Sequence, residues 1–197
     1  MTDMASTQIL FRDAQAADAH AIAELYRMAA GGVADVAWDK LRDKDEDILD
    51  TGARRFAREG TGFSYQNCAL GESRGRIVAL MHAYPMQVDA DFDPETVDPV
   101  LRPYAELEEA GSYYISGVAV RADLRGRGIG TKLLRMAELR AMTRGLNAVS
   151  LIAFAENKGS VRLYDRLGYK VVDSRAIVPH PAIPYGGSAL LMVKELR

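Results

Sequence analysis

The hydrophobic pattern of the chain switches between two periods. Residues 9–12, apolar up to Arg12, read as a short strand, and Asp18 then stands where a helix N-cap belongs. Ile22, Leu25, Tyr26 and Ala29 follow at i, i+3, i+4 and i+7, and Gly31-Gly32 stops that helix. A more polar helix is predicted over 43–59, with acids first and Arg54, Arg55 and Arg58 last, the order that suits a helix dipole. Gly60-Thr61-Gly62 ends it. Extended segments over 63–70 and 76–85, joined by a hairpin loop at 71–75, should pair antiparallel.

Residues 87–110 break the pattern. Asp89, Asp91, Asp93, Glu95, Asp98, Glu106, Glu108 and Glu109 are joined by one base, Arg102, and by prolines at 94, 99 and 103. This is an acidic excursion: a solvated surface loop with one helical turn, or a wall of a site that attracts a cation, since local negative potential raises the encounter rate for positive ligands. Strand character returns at 112–120. A glycine-rich turn then opens a helix over 130–144 that places Ile129, Leu133, Met136 and Ala137 on one face. A buried strand at 148–154 precedes Asn157 as a helix cap, a short helix to Leu167, and Gly168 where a C′ residue is needed. A strand at 169–176, a proline-rich loop at 179–184 and a strand at 188–193 close the pattern. Strands adjoining helices on both sides predict an α/β domain.

At 197 residues, 48% hydrophobic and 26% charged, the chain has the balance of an ordinary globular protein and the length of one domain, 1–197. A formal net charge of −2 gives no electrostatic reason to seek nucleic acid or an anionic membrane. The single cysteine, Cys68, excludes an internal disulfide and reads as a small strand residue rather than a nucleophile. The first eight residues carry neither a basic start nor an apolar run of signal-peptide length, and no run of about 18 apolar residues occurs, so a cytoplasmic protein with no membrane partner is the expectation.

The chemistry concentrates in Val118-Ala119-Val120-Arg121-Ala122-Asp123-Leu124-Arg125-Gly126-Arg127-Gly128-Ile129-Gly130-Thr131. A strand delivers the chain into three glycines, and the backbone then enters a helix. Unpaired amides at a helix N-terminus point outward, and the dipole favours an anion there. Glycines permit torsions and close approach that a Cβ would block, and Arg125 and Arg127 can add charge-assisted contacts to phosphate oxygens. From Arg121 to Arg144, seven bases (Arg121, Arg125, Arg127, Lys132, Arg135, Arg140, Arg144) stand against two acids (Asp123, Glu138). A P-loop needs Gly-Lys-Ser/Thr, whereas Thr131 precedes Lys132 here; a dinucleotide fingerprint needs Gly-x-Gly-x-x-Gly early in a βαβ unit. A glycine-rich turn without a ligand is the remaining alternative.

Arg125-Gly126-Arg127-Gly128-Ile129-Gly130 resembles the central signature of the GNAT superfamily of N-acetyltransferases: Arg or Gln, two residues, Gly, one residue, Gly or Ala. Downstream, Asn157-Lys158-Gly159-Ser160-Val161-Arg162-Leu163-Tyr164-Asp165-Arg166-Leu167-Gly168-Tyr169 resembles its second motif, and the element order follows the family over nearly the whole chain. The resemblance implies a GNAT-like acyl-CoA N-acyltransferase fold, a mixed, mostly antiparallel central sheet flanked by helices. It implies acetyl-CoA as cosubstrate and no metal. It also implies that Val118, Ala119 and Val120, beside a bulge in the fourth strand, bind the pantetheine arm and polarise the thioester. Residues 125–131, with Asn157 and Ser160, complete the expected cofactor-binding set, and Tyr164 is the expected general acid toward the thiolate. Ser160, Leu163, Tyr164 and Leu167, at i, i+3, i+4 and i+7, place that phenol inward.

Some family members hold a basic glutamate on the fourth strand; that place is Tyr114 here, leaving water-mediated deprotonation by Glu108, Glu109 or a backbone carbonyl. His20, His82 and His180 have no metal-ligand spacing. His180, Tyr185, Trp38 and Tyr26 are candidates for the acceptor pocket or plain structural residues. The expected activity is acetyl transfer to a primary amine by direct attack, the acceptor being a small cationic amine or a peptide N-terminus. The alternative is a non-catalytic acyl-CoA sensor. A homodimer could form through an edge strand at the C-terminus.

Overall fold

The computed structural model describes residues 8–87 and 91–196. Its strands are β1 (Leu10–Asp13), β2 (Cys68–Ser73), β3 (Arg76–Pro85), β4 (Tyr113–Val120), β5 (Ala148–Phe154), β6 (Lys170–Ala176) and β7 (Ser188–Glu195). They form one sheet in the order β1-β2-β3-β4-β5-β7-β6, antiparallel at every junction except the parallel β4–β5 pair. The helices are α1 (Ala19–Ala29), α2 (Val33–Asp39), α3 (Ile48–Phe56), α4 (Arg102–Ala105), α5 (Ile129–Thr143) and α6 (Lys158–Arg166). This is the mixed, mostly antiparallel sheet with flanking helices that the resemblance implies. Among the described residues no helix is long and apolar enough to cross a membrane.

Two apolar layers cover the sheet. On one face Leu133, Leu134 and Ala137 of α5 meet Met81, Tyr113, Ile115 and Val149. On the other, Ile22, Leu25 and Tyr26 of α1 and Phe56 of α3 meet Leu70 and Leu80, with Trp38 of α2 buried among them. Cys68 lies in this second layer with its Sγ 3.6 Å from the Ser64 carbonyl oxygen, and burial pushes its thiol pKa up, away from the reactive thiolate. A third cluster, Leu107, Ile177, Ile183 and Leu191, anchors the loop between β6 and β7.

Three local readings change. The β2–β3 connection is a two-residue turn, because Ser73 already pairs with Arg76; Arg74 and Gly75 both take positive φ (52° and 72°), the geometry that matches strand twist. The helix over 43–59 contracts to α3, capped by Asp47, whose carboxylate accepts the Leu49 amide at 2.8 Å. The segment before it wraps Glu46 onto Arg54 at 2.8 Å. And α2 forms where Gly31-Gly32 reads as a stop: Gly32, at φ 91°, is its N-cap. The final strand β7 is interior, between β5 and β6, so the C-terminal strand offers no edge for a partner; the edges are β1 and β6, and β6 exposes Val171 and Val172.

The α1–α2 turn docks onto the β6–β7 loop, where a Cβ on Gly32 would come within 1.9 Å of the Ala182 carbonyl oxygen. Gly60 also has positive φ, 67°, but open space around it. Gly60→Ala is therefore expected to cost about 1 kcal/mol, the left-handed penalty alone. Gly32→Ala should cost about 3 kcal/mol or more, because backbone must move as well. Urea unfolding of the two variants checks the difference; equal losses would show that the docking is loose.

Candidate functional site

β4 stays with β5 for only three pairs, Tyr113 with Val149, Tyr114 with Ser150 and Ile115 with Leu151. The next residue, Ser116, is the extra residue of a bulge, for on β3 His82 opposes Gly117 while Ala83 opposes Ile115. One extra residue inverts the pleat. Tyr113 and Ile115 face α5 before it, Val118 and Val120 face α5 after it, and Gly117 and Ala119 turn toward α1. The Arg121 amide bonds the Val78 carbonyl on β3 at 2.9 Å, so alternation directs the amides of Val118 and Val120 away from β3, into the gap that β5 has left.

The chain then runs into the glycine turn. Gly126 and Gly128 have φ of 73° and 78°, and a Cβ at either would meet nothing within 4 Å. Their requirement is thus conformational, and the space before the loop is open. The first hydrogen bond of α5 is from the Lys132 amide to the Gly128 carbonyl at 3.0 Å; among the described residues no partner is found for the amides of residues 126–131. Ile129 is buried and offers only its amide, whereas Gly130 and Thr131 are partly exposed. Arg125 is drawn back along the strand, its Nε donating to the Val120 carbonyl at 2.9 Å, and Arg127 reaches the Asp123 carbonyl at 3.4 Å. Both guanidinium groups stay exposed at the turn.

α6 stands beside this first turn, with Leu163 Cδ2 3.7 Å from where a Gly130 Cβ would lie. Asn157 caps α6, its side-chain oxygen accepting the Ser160 amide at 3.2 Å. Ser160, Leu163, Tyr164 and Leu167, the residues of the predicted stripe, are partly buried, as is Val161 beside it, while Arg162, Asp165 and Arg166 are exposed. The Tyr164 hydroxyl bonds the Ser160 side chain; burial raises its pKa and the serine partly offsets this, so the phenol is neutral and carries its proton. Its ring lies 6.0 Å from that of the buried Tyr169. The structure therefore brings β4, residues 125–131 and the Tyr164–Ser160 pair to one region, while the Asn157 oxygen is engaged as a cap.

A second polar group was not legible in the sequence. His82 is fully buried, with Nε2 2.9 Å from the Gly62 carbonyl oxygen and Nδ1 2.5 Å from the Ser116 hydroxyl. The carbonyl can only accept, so the proton sits on Nε2 and Ser116 donates to Nδ1. The Tyr26 hydroxyl also bonds Ser116, so the bulge residue is held from both α1 and β3. The only forerunner of this arrangement in the sequence is that His82 lies two residues before Tyr84, in phase with it. Burial pushes the imidazole pKa down to about 4. Taking a proton from an ammonium of pKa near 10 would cost roughly 8 kcal/mol, so His82 orients the bulge and is not a base.

Three acids of the acidic segment are paired: Asp98 with Lys40 at 2.7 Å, Glu95 with Arg102 at 2.9 Å and Glu106 with Arg175 at 2.8 Å. Asp89 lies outside the described residues. Glu108 acts on Tyr84 and Tyr114, whose rings are 5.7 Å apart at the sheet end next to the bulge. Trp38 is plain core. Tyr185 stacks on Phe154 at 4.3 Å and lines a groove of about 490 Å³ with Glu24, Arg27, Gly31 and Gly32; His180 is not part of it, and its Nδ1 accepts the Ala182 amide at 3.2 Å. His20 is exposed beside Asp50 at 3.3 Å. Among the described residues no group of three or more His, Cys, Asp or Glu is placed to hold a metal.

Residues 33–169 match the model of the Acetyltransferase (GNAT) family. The chain belongs to that family. An uncharacterised N-acetyltransferase of Methanocaldococcus jannaschii is 45% identical over 66 residues, 34% of this chain and 29% of that protein. The mycothiol acetyltransferase of Corynebacterium aurimucosum is 34% identical over 67 residues, 34% of this chain and 21% of its own length. The matches of this GNAT chain span less than two thirds of each of these curated relatives. Among solved folds, mosquito arylalkylamine N-acetyltransferase like 5b superposes with a TM-score of 0.68 at 17% identity, covering 96% of this chain and 100% of that one. A Salmonella typhimurium structure carrying acetyl-CoA superposes with a TM-score of 0.63 at 22% identity, covering 96% and 94%.

The buried imidazole of this GNAT chain makes its stability pH-dependent. The unfolded histidine titrates near 6.5 and the folded one about 4, so below pH 6.5 the unfolded state takes up the proton first and stability falls as pH drops. Between pH 7 and 4.5 the wild type should lose about 2 kcal/mol more than His82→Gln. Urea titrations at the two pH values measure this; parallel losses would place the folded His82 near its ordinary pKa.

Proposed function

We propose that this chain, as one domain over 1–197, transfers the acetyl group of acetyl-CoA to a primary amine by direct attack within a ternary complex. The observation behind it is the run of unpartnered amides over 126–131 beside the open edge of β4, with a protonated phenol, Tyr164, on the neighbouring helix. Those amides, the dipole of α5 and the exposed Arg125 and Arg127 fit a diphosphate, and the outward-facing glycines leave it room. The amides of Val118 and Val120 fit the amide-bearing arm that follows, and one of them directed at the thioester oxygen would stabilise charge developing there.

The amine must arrive neutral, since its lone pair forms the new C–N bond while the C–S bond breaks. One proton leaves the nitrogen during attack, and Tyr164 supplies one to the departing sulfur. Proton removal falls to water in contact with the Glu108 side of the cleft, because β4 holds Tyr114 rather than a carboxylate and His82 is too weak a base. Cys68 is buried and its thiol pKa is raised, which favours direct attack over a covalent acetyl-enzyme. The lack of a strand carboxylate is also the feature that favours the second reading, an acyl-CoA sensor without turnover.

Tyr164→Phe is expected to lower kcat by about 100-fold while leaving acetyl-CoA affinity within a few-fold, as suits a proton donor rather than a binding group. Thiol release and calorimetric titration separate the two; an unchanged kcat would remove the acid role. Gly128→Ala, which puts a side chain at a left-handed N-cap facing the diphosphate, should weaken acetyl-CoA binding about tenfold or more. Tight acetyl-CoA binding with no thiol release for any amine would select the sensor.

A further inference from the structure

α3 carries two adjacent arginines with opposite surroundings. Arg54 is exposed and paired, its guanidinium 2.8 Å from Glu46 and 3.7 Å from Asp43. Arg55 points inward, stacked over the Phe63 ring at 4.4 Å. Its Nε is buried and has no hydrogen-bond partner among the described residues. Among the described residues the charged and titratable groups coupled to it are Arg58, Tyr26, Tyr84 and His82, none of them a carboxylate, and burial lowers its pKa. The stack and the helix C-terminus favour a cation here, but the exposed Arg54 and Arg58 serve that terminus as well. A guanidinium that is partly desolvated, next to a like charge and without a counter-ion is costly unless an anion arrives to pair with it.

Arg55 also lies beside the proposed transfer locus. It acts on Tyr26, whose hydroxyl bonds Ser116 at the bulge, and on Tyr84, which opposes Tyr114 across β3 and β4. Phe63, Tyr84 and Tyr114 are partly exposed apolar surfaces between these points. Tyr84 feels both Arg55 and Glu108, a cation and a carboxylate within reach of one ring. A planar fork of N–H donors matches a carboxylate.

We propose that Arg55 anchors a carboxylate of the acceptor, so that the amine acetylated here belongs to an amino acid or a similar carboxylate-bearing molecule with an apolar body. This rests on the acetyltransferase reading and narrows it: a zwitterion sets its carboxylate on Arg55 and its amine toward the Glu108 and Ser116 side, with its side chain against Phe63, Tyr84 and Tyr114.

The test uses the purified full chain with acetyl-CoA and matched acceptors: phenylalanine, leucine and 4-aminobutyrate, the amides of the same three, and phenethylamine. Wild-type kcat/KM for at least one acid should exceed that of its amide by about tenfold or more, as expected for one charge-assisted pair. Arg55→Gln should bring acid and amide within about threefold, and Arg55→Lys should restore part of the preference. Amides or phenethylamine accepted as well as the acids, or a preference that survives Arg55→Gln, would overturn the anchor while leaving acetyl transfer intact. Should no amine release thiol although acetyl-CoA raises Tm, transfer itself fails, and the anchor is then read from Tm alone. N-acetylphenylalanine should stabilise the wild type more than its amide does, and Arg55→Gln should abolish the difference. Equal shifts would refute it, and the Tm of each variant without ligand shows that it is folded.

Discussion

One inserted residue in β4 sets most of what this molecule can do. Ser116 has no opposite number on β3, and His82 and Tyr26 hold it in place through its hydroxyl. The insertion changes which face each later side chain of the strand meets, and it coincides with the end of the β4–β5 ladder at Ile115 and Leu151. A parallel pair that parts leaves backbone donors without partners, a costly arrangement in a buried position unless something else fills the gap. The same short stretch therefore links the α5 face, where the glycine turn lies, to the α1–α3 face, where the aromatic residues gather.

The electrostatics follow this division. At the α5 end the charge is fixed by backbone: unpartnered amides, a helix dipole and two arginines whose heads stay in solvent. At the other end it is fixed by side chains. Three acids of the segment that reads as a negative wall are paired, by Lys40 just after α2, Arg102 of α4 and Arg175 of β6. Arg55, which reads as one of three bases closing a helix, keeps a buried Nε with no partner among the described residues. Net charge and local runs of charge could not separate these cases, because pairing is settled by distance.

Local physics made much of the molecule readable in advance. The glycines at 126 and 128 need positive φ, Asn157 makes the capping bond its residue type makes elsewhere, and the i, i+3, i+4, i+7 spacing in α6 turns Tyr164 inward. β5 spans the same 148–154 that its apolar run marks. Where a segment's conformation depended on a distant partner, the reading slipped. Gly31-Gly32 ends one helix but also starts the next, since Gly32 must clear the Ala182 carbonyl. The stretch before α3 is held off the helix by Glu46 reaching Arg54.

The amino-acid order by itself determined the elements, their alternation into an α/β sheet, the anion-competent turn and the phase of the helix that carries the phenol, because each depends on torsional preference or periodicity over a few neighbours. Only the tertiary structure decided that the fourth-strand bulge falls at Ser116, the neutral imidazole beneath it, the interior place of β7 and the inward turn of Arg55, whose Nε has no partner among the described residues. Those depend on which residues, tens of positions apart, come within hydrogen-bonding or Coulombic reach and on how much water is left between them.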